Sequence, residues 1–422
     1  MKRLKKILLW TALSVGIALV AFLFFFAYFT WSASRELERR LTELRAEGEP
    51  LSIADLAHEP IPPETNAAVF LQRADDDVEA ARKELTALYP QSFVPPLELT
   101  EAEIENLDDL FAAYPNLMPL LERAAACPDY NSEPDAPQSP TAFLQPLYDR
   151  GSKFRDVIRV LRARSRLLTA QGRLDDALAN QILMLRLCGA WSREPFLPSY
   201  LVRLGCRTVA VEGANEVLRV GPVTPASREA LDAELALLDT SDDLIWALRS
   251  ERAFSLSVIR DSFEKAVFVP SLMSNSVALR FLDFYDQLLE HASRPPWQSR
   301  FTPRFQGGWN PLDIMITQHI PAMQSTREAA ERVRAISRSL RVLNALQAHG
   351  VEEVPANLNG LGLPEKATID PFNGEPLRVK KLPDGWLVYS VGKNRRDDDG
   401  MWAGRRLFGL GPIEEDEEAK QP

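Results

Sequence analysis

Residues Phe154 to Leu185 read "FRDVIRVLRARSRLLTAQGRLDDALANQILML", and this stretch sets the fold class. Phe154, Val157, Ile158, Leu161 and Leu168 recur at helical spacing. Gln171-Gly172-Arg173 turns the chain, and Leu174, Ala177, Leu178, Ile182 and Leu185 form a second apolar face. Two amphipathic helices joined by three residues make an antiparallel hairpin. The strongly helical pattern runs from Ser152 to Leu238, so the expected class is mainly α, with a body built as a helical bundle or an irregular α-solenoid. The cations Lys153, Arg155, Arg159, Arg162, Arg164 and Arg166 alternate with the apolar positions, the pattern of a solvated helix face rather than of a nucleic-acid site.

Toward the amino terminus, Ile7 to Trp31 carries neither charge nor proline. At about 1.5 Å rise per residue this run is long enough to cross a hydrocarbon layer of about 30 Å. A cleavable signal has a shorter apolar region, so a retained transmembrane helix is expected, with "SAS" at Ser32–Ser34 as the alternative cleavage point. Lys2, Arg3, Lys5 and Lys6 assign the amino terminus to the cytoplasm, although Arg35, Arg39 and Arg40 lie on the other flank. The expected location is therefore the bacterial inner membrane, with the lipid bilayer contacted through residues 7–31 and most of the chain in the periplasm.

Between the span and the hairpin, Leu37, Leu41 and Leu44 continue a helical stripe as a stalk until Gly48-Glu49-Pro50. A proline-punctuated connector ends at Asn66, an apt N-cap, and Thr100 with Glu103 matches a capping box. Residues 128–140, "PDYNSEPDAPQSP", mark a boundary. Beyond the hairpin, Thr224-Pro225 opens another helix, helical segments start at Ser241 and Val277, and 294–311 is rich in Pro, Gly and aromatics. A long helix starting near Asp313 or Thr326 ends at Gly350 and leads to a ribbon. There, Leu377 and Val379 alternate with Arg378 and Lys380, Pro383-Asp384-Gly385 turns the chain, and "WLVYSV" returns. The divisions are 1–31, basic tip and anchor; 32–65, stalk and connector; 66–127, helical subdomain; 141–311, helical body; 312–412, long helix with a small sheet; and 413–422, an acidic tail.

Three resemblances follow from these motifs. "AQGRLDDAL" is similar to the turn of a tetratricopeptide repeat, though no second repeat follows and Ser165 and Gln181 depart from its pattern. From Thr326 to Gly400, the order helix, "DPFNGEPL", "WLVYSVG" and an acidic end resembles the C-terminal half of the major pseudopilin of type II secretion. That implies an α+β module, a helix on a small sheet with a calcium loop. "MKRLKKILLW" lacks the pilin processing site, so a pilus subunit is not implied. With "IPPETNAAVFL" and "LRSERAF" added, the whole chain resembles membrane-anchored exported proteins of planctomycete-type bacteria. That implies architecture and location but no activity.

The chain has a net charge of −10, which excludes phosphate-backbone binding as its main task, so no nucleic-acid partner is expected. Cys127, Cys188 and Cys206 form no CxxC, the four histidines are scattered, and neither GxSxG nor a phosphate loop occurs. Cys188 and Cys206 read either as an oxidised pair across two helices or as core thiols. Asn394, Asp397, Asp398 and Asp399 gather oxygen donors suited to calcium, with Arg395 and Arg396 expected to neutralise them; the alternative is a solvated acidic turn. Glu251 and Arg252 read as a buried ion pair. The expected function is a non-enzymatic scaffold or interaction protein of the cell envelope, partnered by an envelope protein. The alternatives are an envelope hydrolase pairing Glu251 with Asp242 or Asp243, and an accessory of a type II secretion-like machine.

Overall fold

A single helix, α1 (Lys2–Ala46), opens the chain in the computed structural model, in which residues 2–56, 60–91, 94–132, 140–240, 242–264, 270–298, 320–402 and 405–412 are described. Its large apolar side chains, from Trp10 to Trp31, are exposed, and it is long and apolar enough to cross a membrane. The leucine stripe of the stalk is docked. Leu37, Leu41 and Leu44 pack with Leu256, Val277 and Leu282, which belong to α9 (Asp242–Glu264) and α10 (Pro270–Ser293). Arg40 reaches Asp283 at 2.5 Å and also binds Asp286, while Asn275 donates to Ser34 Oγ at 2.6 Å. The leucine stripe thus has a partner, because α10 offers an apolar face flanked by two carboxylates. Gly48, at φ +76°, ends the helix, and Glu49 then binds Arg249 and Arg252 of α9.

The cap signals hold where they were read. Asn66 accepts from Ala68 N at the start of α2 (Ala67–Leu88), Thr100 and Glu103 form a reciprocal capping box on α3 (Glu101–Ala113), and Thr224 caps α8 (Pro225–Leu237). A further helix, α4 (Leu117–Ala126), packs on α2.

The hairpin consists of α5 (Pro140–Ala170) and α6 (Leu174–Ala190), reversed at Gly172, φ +73°. Helix α5 begins twelve residues before Ser152 and carries Pro146 in its second turn, where one intrahelical bond is forgone. The seam is also polar. Gln181 Nε2 donates to Ser165 Oγ at 2.6 Å and Asn180 Nδ2 to the Leu161 carbonyl at 2.8 Å, both buried. These two bonds stand where a tetratricopeptide hairpin would carry its own consensus types. The wet-face reading of the basic stretch needs correction. Lys153, Arg155 and Arg159 are exposed, but Arg162, Arg164 and Arg166 turn inward to Glu216, Asn180 and the Pro95 carbonyl.

Helix α7 (Leu197–Val220) lies against both α5 and α6. Cys188 and Cys206 come together across α6 and α7 as free thiols, and all three cysteines are buried. The long helix α11 (Ile320–Ala348) packs on α7 and α8 with one side and on the sheet with the other. This two-sided burial explains why every residue from Ala335 to Leu346 is buried, polar ones included. Its arginines are paired: Arg338 with Asp239 at 2.7 Å and with the Ile369 carbonyl at 2.6 Å, Arg341 with Asp232 at 2.7 Å.

After a short α12 (Glu365–Thr368), β1 (Arg378–Leu382) pairs antiparallel with β2 (Gly385–Tyr389) in the register Leu382↔Gly385. Two short strands, β3 (Met401–Trp402) and β4 (Arg405–Arg406), pair with each other. A last strand, β5 (Gly409–Leu410), absent from the two-stranded ribbon read in the sequence, joins the free edge of β2. Both faces of β2 are buried, as its unbroken apolar run requires. Asp370 ties the module together. Its Oδ1 accepts from Phe372 N at 2.8 Å and from Ser390 Oγ at 2.7 Å, and its Oδ2 accepts from Val391 N at 2.8 Å. "DPFNG" and "YSVG" are therefore two halves of one hydrogen-bonded turn. The acidic tail, 413–422, and the proline-rich segment 299–311 lie outside the described residues.

Candidate functional site

A cleft of about 610 Å³ opens between α2, the extended run 129–132, the start of α5 and Trp191. Its floor is aromatic. Phe154 and Trp191 stack with ring centroids 4.4 Å apart and 13° between planes, and Trp191 Nε1 donates to Tyr130 Oη at 2.8 Å. Both partners of that bond are buried, so the indole N–H and the phenol are satisfied without water.

Asn66 builds the wall. Besides capping α2, its Oδ1 accepts from Asn131 N at 2.9 Å and its Nδ2 donates to the Asn131 carbonyl at 2.9 Å. One buried amide therefore stands in for a neighbouring strand and fixes 129–131 as an extended edge, consistent with the isolated parallel bridge between Asn66 and Asp129. Asparagine alone among the N-cap residues carries both the acceptor and the donors that this geometry uses.

Behind the cleft, Glu194 is buried and accepts from Arg150 Nε at 2.9 Å, Arg150 Nη2 at 2.6 Å and Ser132 Oγ at 3.1 Å. Burial raises its carboxyl above the ordinary value against the pull of Arg150. Burial likewise lifts the Tyr130 phenol well above its usual range, with Glu194 adding to the shift. The exposed rim carries Lys153 paired with Asp75 at 2.6 Å, Asp149 bonded to Gln145 at 3.0 Å, and Gln72. The donors and acceptors of the rim, held above this buried aromatic base, can hydrogen-bond an extended chain. The acids of this cleft are engaged by cations or amides, an arrangement suited to holding a ligand.

The residues singled out in the sequence lie elsewhere. The aspartates of the acidic loop diverge: Asp397 accepts from Tyr389 Oη at 2.5 Å, Asp399 pairs with Lys380, and Asp398 accepts from Asn394 Nδ2 at 2.8 Å. Arg378 and Lys380 of β1 also reach Asp397 and Asp399. Calcium takes six to eight converging oxygens, and no group of three or more His, Cys, Asp or Glu among the described residues could hold a metal ion. As arranged, the loop is not a converged cage.

The Glu251–Arg252 pair is also replaced. Adjacent residues on a helix face apart, so Arg252 binds Glu49 at 2.6 Å while Glu251 accepts from Leu197 N at 3.2 Å. Asp243 is held by Arg207 at 2.8 Å and Arg203 at 3.3 Å. Burial works to raise its carboxyl, but these two arginines outweigh it and leave it below the usual range. On α9, Asp243 and Glu251 are separated by eight residues, about 12 Å of axial rise.

Sequence reasoning placed Asn66 correctly as a cap but gave no sign of its second role. Tyr130, Phe154 and Trp191 come from a loop and two helices, and the only signal in the sequence was the concentration of aromatic and amide residues near these boundaries. No family model, curated protein or solved structure matches this chain.

Proposed function

We propose that this chain is a membrane-tethered, non-enzymatic scaffold of the cell envelope. Residues 7–31 span the inner membrane with the basic tip inside. The helical body stands on the periplasmic side and holds an extended segment of an envelope protein in the cleft between α2 and α5. The observation that carries the reading is the continuity of α1: the exposed apolar rod and the leucine seam on α10 belong to one uninterrupted helix. That continuity couples the body rigidly to the anchor and places Ser34, the alternative cleavage point, inside a packed helix bonded to Asn275. The pairing of Glu194, Asp243 and Asp75 with cations supports a binding role over hydrolysis. The packing of α11 on a small sheet supports a pseudopilin-like cap whose work here is to clamp α11.

The test has two readouts. Full-length protein should stay in the membrane after alkaline extraction, and its body should be digested by protease only once the outer membrane is opened. A photo-crosslinking residue at Gln72 should give a discrete adduct in cells, and one at exposed Leu237 should not. A soluble product beginning near Ser34, or equal adducts at both positions, would sink the reading.

A further inference from the structure

A second concavity, on the other side of α5, differs in chemistry. Arg155, Arg159, Arg162 and Arg166 succeed one another at intervals of four, three and four residues, which puts them on one face of α5. Opposite stands α7, with Leu201, Val202, Val209 and Gly205, and the groove between them measures about 640 Å³. This lies within the range of about 300–1,000 Å³ typical of small-molecule pockets.

The cations are not balanced within the groove. Arg162 and Arg166 share one carboxylate, Glu216, at 2.5 and 3.5 Å. Arg166 Nε is buried with no hydrogen-bond partner among the described residues. Arg155 is exposed and has no hydrogen bond or ion pair among them, while Arg159 pairs with Asp156 at 2.8 Å. Glu212, at one end, is the acid lining the groove, and burial pushes its carboxyl up, away from the charged form.

The floor is apolar. Ile158, Val202, Val209 and half-exposed Leu201 carry no polar side-chain atom, and a Cβ built on Gly205 would meet nothing within 4 Å. A peptide laid on this floor would leave main-chain donors and acceptors facing hydrocarbon, which is costly. An acyl chain has none to leave. We infer that the groove binds a single-chain anionic lipid, with the acyl chain along the α7 floor and the carboxylate or phosphate head on the arginine rim. Guanidinium groups suit either head group, because both present paired oxygens to the same fork of donors.

The experiment uses the full chain in a non-ionic detergent and measures equilibrium binding of palmitate, palmitoyl lysophosphatidate, hexadecanol and inorganic phosphate. The two amphiphilic anions are expected to bind saturably, and hexadecanol and phosphate much more weakly. Arg155→Ala with Arg159→Ala, both on the exposed rim, should weaken palmitate binding by about tenfold or more. Gly205→Leu should fill the groove and abolish binding without lowering the melting temperature, since the added side chain enters open space. Arg186→Ala, an exposed arginine on α6, should change nothing. Phosphate binding as tightly as palmitate would leave only a charge site, and hexadecanol binding as tightly would leave only a greasy one. Either result overturns the inference, as does palmitate binding that survives Gly205→Leu.

Discussion

Substituting Asp370 by Asn tests whether the turn joining "DPFNG" to "YSVG" holds the C-terminal module. The carboxylate is fully buried and takes three donors: Phe372 N and Ser390 Oγ on one oxygen, Val391 N on the other. An amide has one acceptor. Whichever way it is turned, its NH₂ faces a buried N–H. Hydrogen bonds to charged groups contribute about 1.5–3 kcal/mol, and an orphaned buried donor costs about 1–3 kcal/mol. Burial raises the Asp370 carboxyl above its ordinary value, so the neutral amide recovers part of that cost, and the net loss is roughly 2–4 kcal/mol. Ser390→Ala should cost less, because two backbone donors still hold the carboxylate. Urea unfolding of the full chain in detergent gives the magnitude, and amide exchange gives the place. Residues 378–391 should exchange faster in the Asn variant, whereas α2 to α4 should not. A variant within about 0.5 kcal/mol of the parent, a spread small for a buried charged acceptor, would refute the reasoning, as would Ser390→Ala proving the worse of the two.

Asn66→Ala removes a helix cap and both bonds to Asn131, so a loss of about 2–3 kcal/mol is expected, with faster exchange confined to 129–132 and the first turn of α2. Arg338→Ala strips a buried cation from Asp239 and the Ile369 carbonyl; Arg334 and Lys366 still lie 3.4 and 3.8 Å from Asp239, so the expected loss is about 2–3 kcal/mol rather than the full cost of an orphaned charge, read as a fall in the urea midpoint. His291 is lowered to about 4 by burial, with Arg327 and Arg294 repelling its charged form. The folded chain thus holds this imidazole neutral while the unfolded chain takes up a proton near pH 6.5. Its contribution is fully present above that pH and lost as pH falls toward 4. Screening at a half-exposed site reduces it to about 1–2 kcal/mol, and His291→Gln should flatten the stability curve across that window.

The elements that were legible in the sequence are those whose signal is local. Thr100 with Glu103, Thr224-Pro225 and Gly172 each specify a helix end through atoms within a few residues, and the structure places helix ends there. The alternation of Leu377 and Val379 with cations gave β1, and the largely apolar faces of "WLVYSV" required that at least one be covered; the structure covers both. Strand β5 was illegible because two residues, Gly409 and Leu410, carry no period. The partner of the stalk was illegible for a different reason: its leucine stripe was visible, but the residues it packs on lie some 240 positions away on α10, where nothing in the local sequence announces them.

Charge was the harder signal. Arg162, Arg166, Arg338 and Arg341 sit at positions that a hydrophobicity pattern assigns to solvent, yet Arg162, Arg338 and Arg341 are buried, Arg166 is partly buried, and each meets a carboxylate distant in the sequence. A guanidinium can be buried when a carboxylate and a carbonyl meet its fork of donors. Those partners, Glu216, Asp232 and Asp239, are ordinary acids in sequence. Pattern reading therefore underestimates the inward face of an arginine-rich helix, and the error is informative. On α5, Arg155 and Arg159 keep the exposed face and form the rim of the groove, while Arg162 and Arg166 turn inward beside them and share Glu216. If uncompensated guanidinium charge is the source of the proposed affinity, Val209→Glu, which sets an acid beside Arg162, should weaken palmitate binding more than it weakens hexadecanol binding.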